Sequence, residues 1–413
     1  MVSSFFPPPN SPHHPALLRK SFHPGRIRGT AEAILEAVLL RPGSGASILS
    51  KELRNARHLH SRERKFVAEG LFALIRYHTF LEHCLNTREV AQWWNAWLQW
   101  QGCTELEATG PDLAGTARQL IKMGPQKKAF QQLSGFSAPV SDAIVDSLGS
   151  ECWDFLSASN QKGPVVLRVN PLKASPQKVQ ASLLEQNIQT HEVVGLPLAL
   201  RVEGTANLHG QRAYQNGWFE IQDAGSQRLA QLAGNPVGTV IDYCAGAGGK
   251  TLAMAALSSA ETKFIACDIR EGALKELKKR CRRAGIGRRV QTRLLPCETL
   301  TPAETVFVDA PCSGLGTLRR TPTLRLRLDT AELIRLEHVQ KQILLDAQQL
   351  VKPGGRLVYG TCSVLHQENE AIKDWFLAEM PQFQVAPETH PLKQSPHHHD
   401  TDGFYGIAFQ RMN

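Results

Sequence analysis

Apolar residues return every three or four positions through "RGTAEAILEAVLL" and "SRERKFVAEGLFALIRYHTFLEHCL", the spacing that lines one face of an α-helix. The pattern holds from about residue 26 to 135 and predicts a bundle of helices. Within "AQWWNAWLQWQG" it puts Trp93, Trp97 and Trp100 on one helix face, which reads as core rather than as a platform for stacked bases.

Around "FSAPVSDAIVDSLG" the helical period stops. Short candidate elements follow, "PVVLRVNPLK" as a strand, "PQKVQASLLEQNI" as a helix and "LPLALRVEG" as a strand, and such alternation predicts a small α/β insert that ends near "GNPVGTV". Beyond it the rhythm becomes strand, loop, helix: "GTVIDYC" then "GKTLAMAALSS", "KFIACD" then "EGALKELKKRCRRAG", "TVFVDA" and later "AELIRLEHVQKQILLDAQQLV", "GRLVYGTC" then "ENEAIKDWFLAEM". Apolar strands alternating with amphipathic helices predict a parallel sheet covered on both faces. The fold class is therefore α/β and doubly wound, with ligands expected beyond the carboxyl ends of the strands.

Length and composition narrow the picture. At 413 residues, with 42% hydrophobic and 21% charged side chains, the chain is expected to form two or three units with sizeable cores. The formal charge of +9 and pI near 9.1 favour a polyanionic partner such as nucleic acid. Nine dispersed cysteines with no CxxC pair argue against a zinc site or a disulfide framework and read mostly as buried thiols in a reducing compartment. Three adjacent histidines, His397 to His399, cannot all face one ion, so a loop before the last strand is expected there and no metal is assigned. The start, "MVSSFFPPPNSPHHPALLRK", is Pro-rich, and no apolar stretch is long enough to cross a bilayer; a cytoplasmic protein, with no membrane partner, is the expectation.

"IDYCAGAGGKT" runs from a strand into a glycine-rich loop and then a helix. A phosphate-binding P-loop would need a glycine at position 244, which is Cys244, and a dinucleotide fingerprint would need one at 251, which is Thr251. What remains is a nucleoside cofactor whose ribose is held by an acid at the tip of the next strand, here Asp268, 22 residues after Gly246. S-adenosylmethionine suits that arrangement.

Two further strands end in a thiol, "VFVDAPCSG" at Cys312 and "LVYGTCS" at Cys362. Methylating carbon 5 of a pyrimidine requires prior addition of a nucleophile at carbon 6, because carbon 5 alone is unreactive. Two thiols at one sheet edge fit that chemistry.

"DAPCSGLG" (Asp309 to Gly316), "YGTCSVLHQENE" (Tyr359 to Glu370) and "CAGAGGKT" (Cys244 to Thr251) together resemble the Sun/Fmu family of RNA cytosine-5 methyltransferases. "PVVLRVNPLK" and "GWFEIQDAGSQ" resemble the family's preceding insert, and "RKFVAEGLFALIRY" the NusB-like helical domain of its bacterial ribosomal RNA enzymes. The resemblance implies a Pro-rich tail over 1–25, an all-helical NusB-like RNA-binding domain over 26–135, a linker helix and small α/β subdomain over 136–232, and a Rossmann-like methyltransferase domain over 233–413. It implies S-adenosylmethionine as cofactor, bound by Cys244, Ala245, Gly246, Ala247, Gly248, Gly249, Lys250, Asp268 and Asp309. Cys362 would add to carbon 6, Cys312 would assist product release, and Asp309 would hold the ring edge, where an acid on a protonated ring nitrogen also stabilises the developing charge.

Where the family usually reads Cys-Ala-Ala-Pro-Gly-Gly-Lys, this chain has Gly246 and Ala247 in place of Ala-Pro, and Thr323 stands where an acid commonly follows proline. The acid usual near the adenine is replaced by Pro296 and Cys297, with Glu298 beside them.

Basic residues crowd Arg270 to Arg293, with Glu271 and Glu276 opposing them and Leu274, Leu277 and Cys281 as a buried stripe. Arg319, Arg320, Arg325 and Arg327 follow the Cys312 loop and are expected to contact phosphate. The target cytosine must be single-stranded or flipped to meet the thiols. The expected activity is cytosine-5 methylation of 16S ribosomal RNA by a monomer; transfer RNA as substrate, or a non-catalytic RNA-binding assembly factor, are the rivals.

Overall fold

The computed structural model describes residues 24–40, 45–100, 111–297, 300–387 and 389–413. The Pro-rich start up to residue 23, Cys103 and Glu298 lie outside them. The chain forms two units, Met1–Lys162 with Thr317–Leu333, and Gly163–Gly316 with Ile334–Asn413.

The first unit is helical: α1 (Pro24–Leu40), α2 (Gly45–Asn55), α3 (Ser61–Leu85), α4 (Val90–Trp100), α5 (Leu113–Lys122), α6 (Lys127–Ser134), α7 (Ala138–Leu148) and α8 (Cys152–Asn160). Helix α3 covers the whole of "SRERKFVAEGLFALIRYHTFLEHCL", and its start is locked by a capping box in which His60 and Glu63 each accept the other's backbone N–H. Trp93 and Trp97 are buried as expected, but Trp94 is more deeply so at 1% exposure. Phe66, Trp94 and Trp97 form one aromatic cluster. A Cβ on Gly70 would come within 2.5 Å of the Trp94 ring, which explains a glycine in the middle of a helix despite its cost there.

The second unit carries two sheets. The smaller orders its strands β2 (Thr190–Val193), β3 (Leu196–Val202), β1 (Val165–Val169), β4 (Phe219–Ile221), all antiparallel. Helix α9 (Pro176–Leu184) packs on it; Ser175 caps this helix through the Lys178 N–H and proline occupies its first turn. A one-turn helix α10 (Arg212–Gln215) leads into β4.

The larger sheet follows from α11 (Ala224–Gln231). It contains β5 (Thr239–Asp242), α12 (Gly249–Leu257), β6 (Lys263–Asp268), α13 (Glu271–Ala284), β7 (Val290–Leu294), β8 (Ala303–Asp309), α14 (Thr330–Gln349), β9 (Val351–Thr361), α15 (Glu370–Glu379), β10 (Phe383–Val385), β11 (Leu392–Gln394), α16 (Pro396–His399) and β12 (Phe404–Arg411). The order is β10-β12-β9-β8-β5-β6-β7, with β11 paired to β12. Strands β5 to β9 are parallel, in the doubly wound, Rossmann-like α/β arrangement expected. Strand β12 is antiparallel to β9, a departure from the all-parallel expectation. Too few residues separate β11 from β12 for the crossover helix that a parallel entry requires. His397 to His399 form the short helix α16 rather than a loop.

Valines 306 and 308 with Phe307 are fully buried along β8, the continuous apolar run of a strand covered on both faces. On β12 and β9, Gly406 and Gly360 are paired, and a Cβ on either would strike Leu229 at 2.4 and 2.6 Å. The missing side chains let α11 lie close against the sheet. No helix among the described residues is long and apolar enough to cross a membrane.

Candidate active site at the carboxyl edge of the sheet

Because β5, β6, β8 and β9 are parallel neighbours, their last residues, Asp242, Asp268, Asp309 and Thr361, end on one edge. Each sequence motif sits just beyond one of these tips.

The glycine loop spans β5 and α12. Gly246 and Gly248 have φ of +55° and +85°, left-handed values at which a side chain is strained, so the glycine that replaces the family's alanine at 246 suits its backbone. Gly249 opens α12, and an added Cβ there would lie in ordinary contact with Gln222 Nε2 at 3.7 Å. The Gly246 N–H donates to Asp268 Oδ2 at 2.8 Å, tying the loop to the next strand tip. Asp268 also accepts from the Arg270 N–H at 2.8 Å and from its guanidinium at 3.0 and 3.2 Å. Burial works to raise the Asp268 pKa, but the Arg270 and Gly246 donors outweigh it and hold the carboxyl below its ordinary value.

Behind the loop Asp242 is fully buried and accepts from the Thr251 hydroxyl at 2.6 Å. Burial pushes its pKa up to about 7 against the pull of the Thr251 bond, and Asp309 adds to the rise. Cys244 is held far above its usual pKa by burial and the surrounding acids, so its thiol is inert and its place in the loop is a backbone one.

Lys250, in the first turn of α12, reaches across to β8, where its Nζ lies 2.5 Å from Asp309 Oδ2. Their side chains are 12% and 29% exposed. Burial alone would lower the Lys250 pKa, yet Asp309 and, further off, the Cys362 sulfur raise it overall, so the ammonium stays charged beside the thiol. The ring of Phe404 lies 5.4 Å from Nζ. Asp309's other oxygen has no hydrogen-bond partner among the described residues.

Fifty residues apart in sequence, the Cys312 and Cys362 sulfurs lie 3.4 Å from each other. The Cys362 N–H donates to Cys312 Sγ at 3.3 Å. That sulfur contact, then burial, then the nearby Glu368 carboxylate lift the Cys312 pKa well above its ordinary value, so Cys312 rests as a neutral thiol. The edge thus holds a neutral thiol, a second sulfur under the field of an ammonium, and a carboxylate with an uncommitted oxygen. Such a set can support nucleophilic addition to an electron-poor ring with stabilisation of the charge that develops.

Two arginines expected to contact RNA do not face outward. Within the helical unit Arg325 is 3% exposed, its Nε donating to Ser134 O at 2.9 Å and its Nη2 to Asn160 Oδ1 at 2.7 Å, and burial with the Arg76 charge lowers its pKa to about 9. Arg319 is 7% exposed and donates to Ala158 O at 3.0 Å. A phosphate cannot displace these carbonyl partners without opening the fold. Arg320 is exposed. The basic run is likewise divided: α13 buries Leu274, Leu277 and Cys281 as expected, but Arg280 and Arg283 both clasp the buried Glu220 on β4, at 3.0 and 2.5 Å. Arg280 also donates to Ala247 O at 2.8 Å, and Gln222, anchored by Arg168 at 2.7 Å, donates to Gly249 O at 3.2 Å. The small sheet therefore braces the glycine loop from outside, through residues that "GWFEIQDAGSQ" contains but whose role no local pattern signals.

The sequence profile described as "16S rRNA methyltransferase RsmB/F" matches residues 229–410, which hold the whole of this site. The profile "Methyltr_RsmF/B-like, ferredoxin-like domain" matches residues 141–209. Over these stretches the chain is similar to the RsmB/F methyltransferases. Among RsmB/F relatives, the probable ribosomal RNA small subunit methyltransferase B of Synechocystis is 36% identical over 268 residues, 60% of this chain and 60% of that protein. The Escherichia coli ribosomal RNA small subunit methyltransferase B is 31% identical over 62% of each chain. The chain thus aligns with a little over half the length of these relatives. Among solved structures, PH0851 superposes on 95% of this chain and 99% of its own at a TM-score of 0.74 and 24% identity. NSun6 from Pyrococcus horikoshii, solved with SFG, covers 66% of this chain and 97% of its own at 0.60 and 17%. At these identities the structures establish the fold alone.

Proposed function

We propose that this protein transfers the methyl group of S-adenosylmethionine to carbon 5 of a cytosine in small-subunit ribosomal RNA, through a covalent bond between Cys362 and carbon 6. The observation that carries the reading is the 3.4 Å approach of Cys312 and Cys362 beside the Lys250–Asp309 pair. The choice of RNA is supported by relatives named ribosomal RNA small subunit methyltransferase B, and the cofactor by NSun6, whose structure holds SFG, an analogue of S-adenosylmethionine.

The loop fits that cofactor. The positive φ of Gly246 and Gly248 lets the backbone turn tightly at the strand tip, Asp268 would hold the ribose hydroxyls with a carboxyl below its ordinary pKa, and the cofactor would supply an electrophilic methyl group on a sulfonium sulfur. Cys362 would attack as the thiolate, its proton passing to solvent, with the Lys250 ammonium nearby. As the sulfur bonds to carbon 6, electron density moves through the ring to N3, which takes up a proton, and the free Asp309 oxygen accepts the resulting N–H bond. Carbon 5 is then nucleophilic and takes the methyl group. Loss of the carbon 5 proton to water restores the ring double bond and returns the sulfur–carbon electron pair to Cys362, and N3 gives its added proton back to solvent. Cys312, a neutral thiol in contact with that sulfur, donates a hydrogen bond as charge returns to it.

Purified protein with tritiated S-adenosylmethionine and small-subunit ribosomal RNA should incorporate label, and bisulfite sequencing should place it at one cytosine. Cys362→Ser should abolish incorporation; Cys312→Ala should accumulate a denaturant-resistant protein–RNA adduct. Unchanged methylation by Cys362→Ser would refute the reading.

A further inference from the structure

Beyond its field on Cys312, the fully buried carboxylate of Glu368 has no part in the mechanism above. It lies in a 3-10 turn, His366–Glu368, six residues beyond Cys362. Oε1 accepts from the Ser313 N–H at 2.8 Å and from Gln340 Nε2 at 3.0 Å, and Oε2 accepts from the Ser313 hydroxyl at 2.6 Å. Gln340 Nε2 also donates to Pro311 O at 3.0 Å. The residues on both sides of Cys312 are thus held by one acid, Ser313 directly and Pro311 through Gln340.

The same acid is coupled to the second thiol. Ser313 Oγ lies 3.1 Å from Ser363 Oγ, next to Cys362. The Glu368 carbonyl accepts from the Tyr359 hydroxyl at 2.7 Å, on the strand that ends just before Cys362. Asn369, the next residue, accepts from the Thr361 hydroxyl at 2.6 Å and donates to Ser363 O at 3.2 Å. Every side-chain donor aimed at the carboxylate is matched, which is the condition for burying such a group without loss of order.

We infer that Glu368 is a positioning residue for product release, setting the Cys312 sulfur against the Cys362 sulfur by clamping the Pro311–Ser313 segment to the turn that follows Cys362. The inference rests on the covalent mechanism proposed above and adds to it the group that fixes the distance between the two thiols. A glutamine loses the charge that all three donors meet: with Oε1 kept toward the Ser313 N–H and Gln340, its amide faces the Ser313 hydroxyl, which must turn from donating to accepting and so gives up its charge-assisted bond. Loss of the clamp frees the Cys312 segment, while the Lys250–Asp309 pair and the glycine loop keep their own partners. Addition and methyl transfer should then survive while release slows.

The test compares Glu368→Gln and Ser313→Ala with Cys312→Ala and wild type, using ribosomal RNA and labelled S-adenosylmethionine. Glu368→Gln should retain a first turnover near one equivalent, lose tenfold or more in steady-state kcat with KM for the cofactor unchanged, and accumulate adduct approaching that of Cys312→Ala. Ser313→Ala, which removes one of the three bonds, should show the same pattern more weakly and decides the matter if Glu368→Gln does not fold. Wild-type release in a folded Glu368→Gln protein, or first turnover and release falling together, would overturn the inference. Absence of adduct in Cys312→Ala would instead count against the covalent reading itself, and so separates the two failures.

Discussion

Lys250 and Asp309, 59 residues apart in the chain, meet at 2.5 Å where a helix start and a strand end come together. The lysine is in the first turn of α12, where the helix dipole disfavours a cation, so the carboxylate from β8 is what holds the charge in place. Replacing Lys250 by Met should leave Asp309 without its partner and remove the positive field at Cys362. Single-turnover methyl transfer is expected to fall about 100-fold, on the order of 3 kcal/mol of transition-state stabilisation. Rapid-quench measurement at saturating cofactor checks this; a change in KM alone would show that the pair serves binding only.

Arg270 occupies Asp268 from its own backbone and side chain, and that side chain is 68% exposed. A ribose bound at Asp268 has to compete with it. Arg270→Ala should therefore tighten S-adenosylmethionine binding by about two- to fivefold, the worth of an exposed ion pair. Isothermal titration calorimetry gives the constant directly, and weaker binding would mean that the guanidinium assists the ribose instead.

Asp242 makes stability depend on pH. Its folded pKa of about 7 lies above the unfolded value of about 3.9. The stability contributed by the protonated side chain is thus whole below pH ~4 and is lost as pH rises to about 7. Urea unfolding from pH 4 to 8 should show wild type losing on the order of 2–4 kcal/mol across that window relative to Asp242→Asn. Parallel curves would show that this carboxyl is already charged in the folded state.

Gly316 has no room for a side chain. An added Cβ would sit 2.1 Å from the Gly403 carbonyl oxygen, and the Gly316 N–H donates to Cys362 O at 2.9 Å. Since the obstacle is backbone, Gly316→Ala is expected to cost about 3 kcal/mol or more and to slow methyl transfer by moving Cys362. Denaturant unfolding with a single-turnover assay tests both; a variant as stable as wild type would show that the two loops separate easily.

Much of the candidate site is legible in the amino-acid sequence, because its signals are local. The glycine loop, Asp268, Asp309 and both thiols each follow an apolar run, and a strand tip is defined by residues adjacent in the chain. The parallel arrangement then brings tips together whatever their sequence separation, which is why Cys312 and Cys362 can be paired from their motifs and meet at 3.4 Å.

Arg325 marks where local signals stop. Its charge suggests a phosphate, but the atoms that bind it, on Ser134 and Asn160, are 191 and 165 residues away, and nothing in "RRTPTLRLRL" says which face of the turn is covered. The clasp of Arg280 and Arg283 on Glu220 is hidden for the same reason.

The chain by itself determined its elements, their alternation and the chemical groups at the strand ends, since periodicity, glycine and strand tips act over a few residues. Tertiary structure alone decided which basic groups are buried, how β12 enters the sheet and which acid spans the two cysteine segments. Those outcomes depend on desolvation and hydrogen-bond matching between distant residues, and both exist only once the chain has closed on itself.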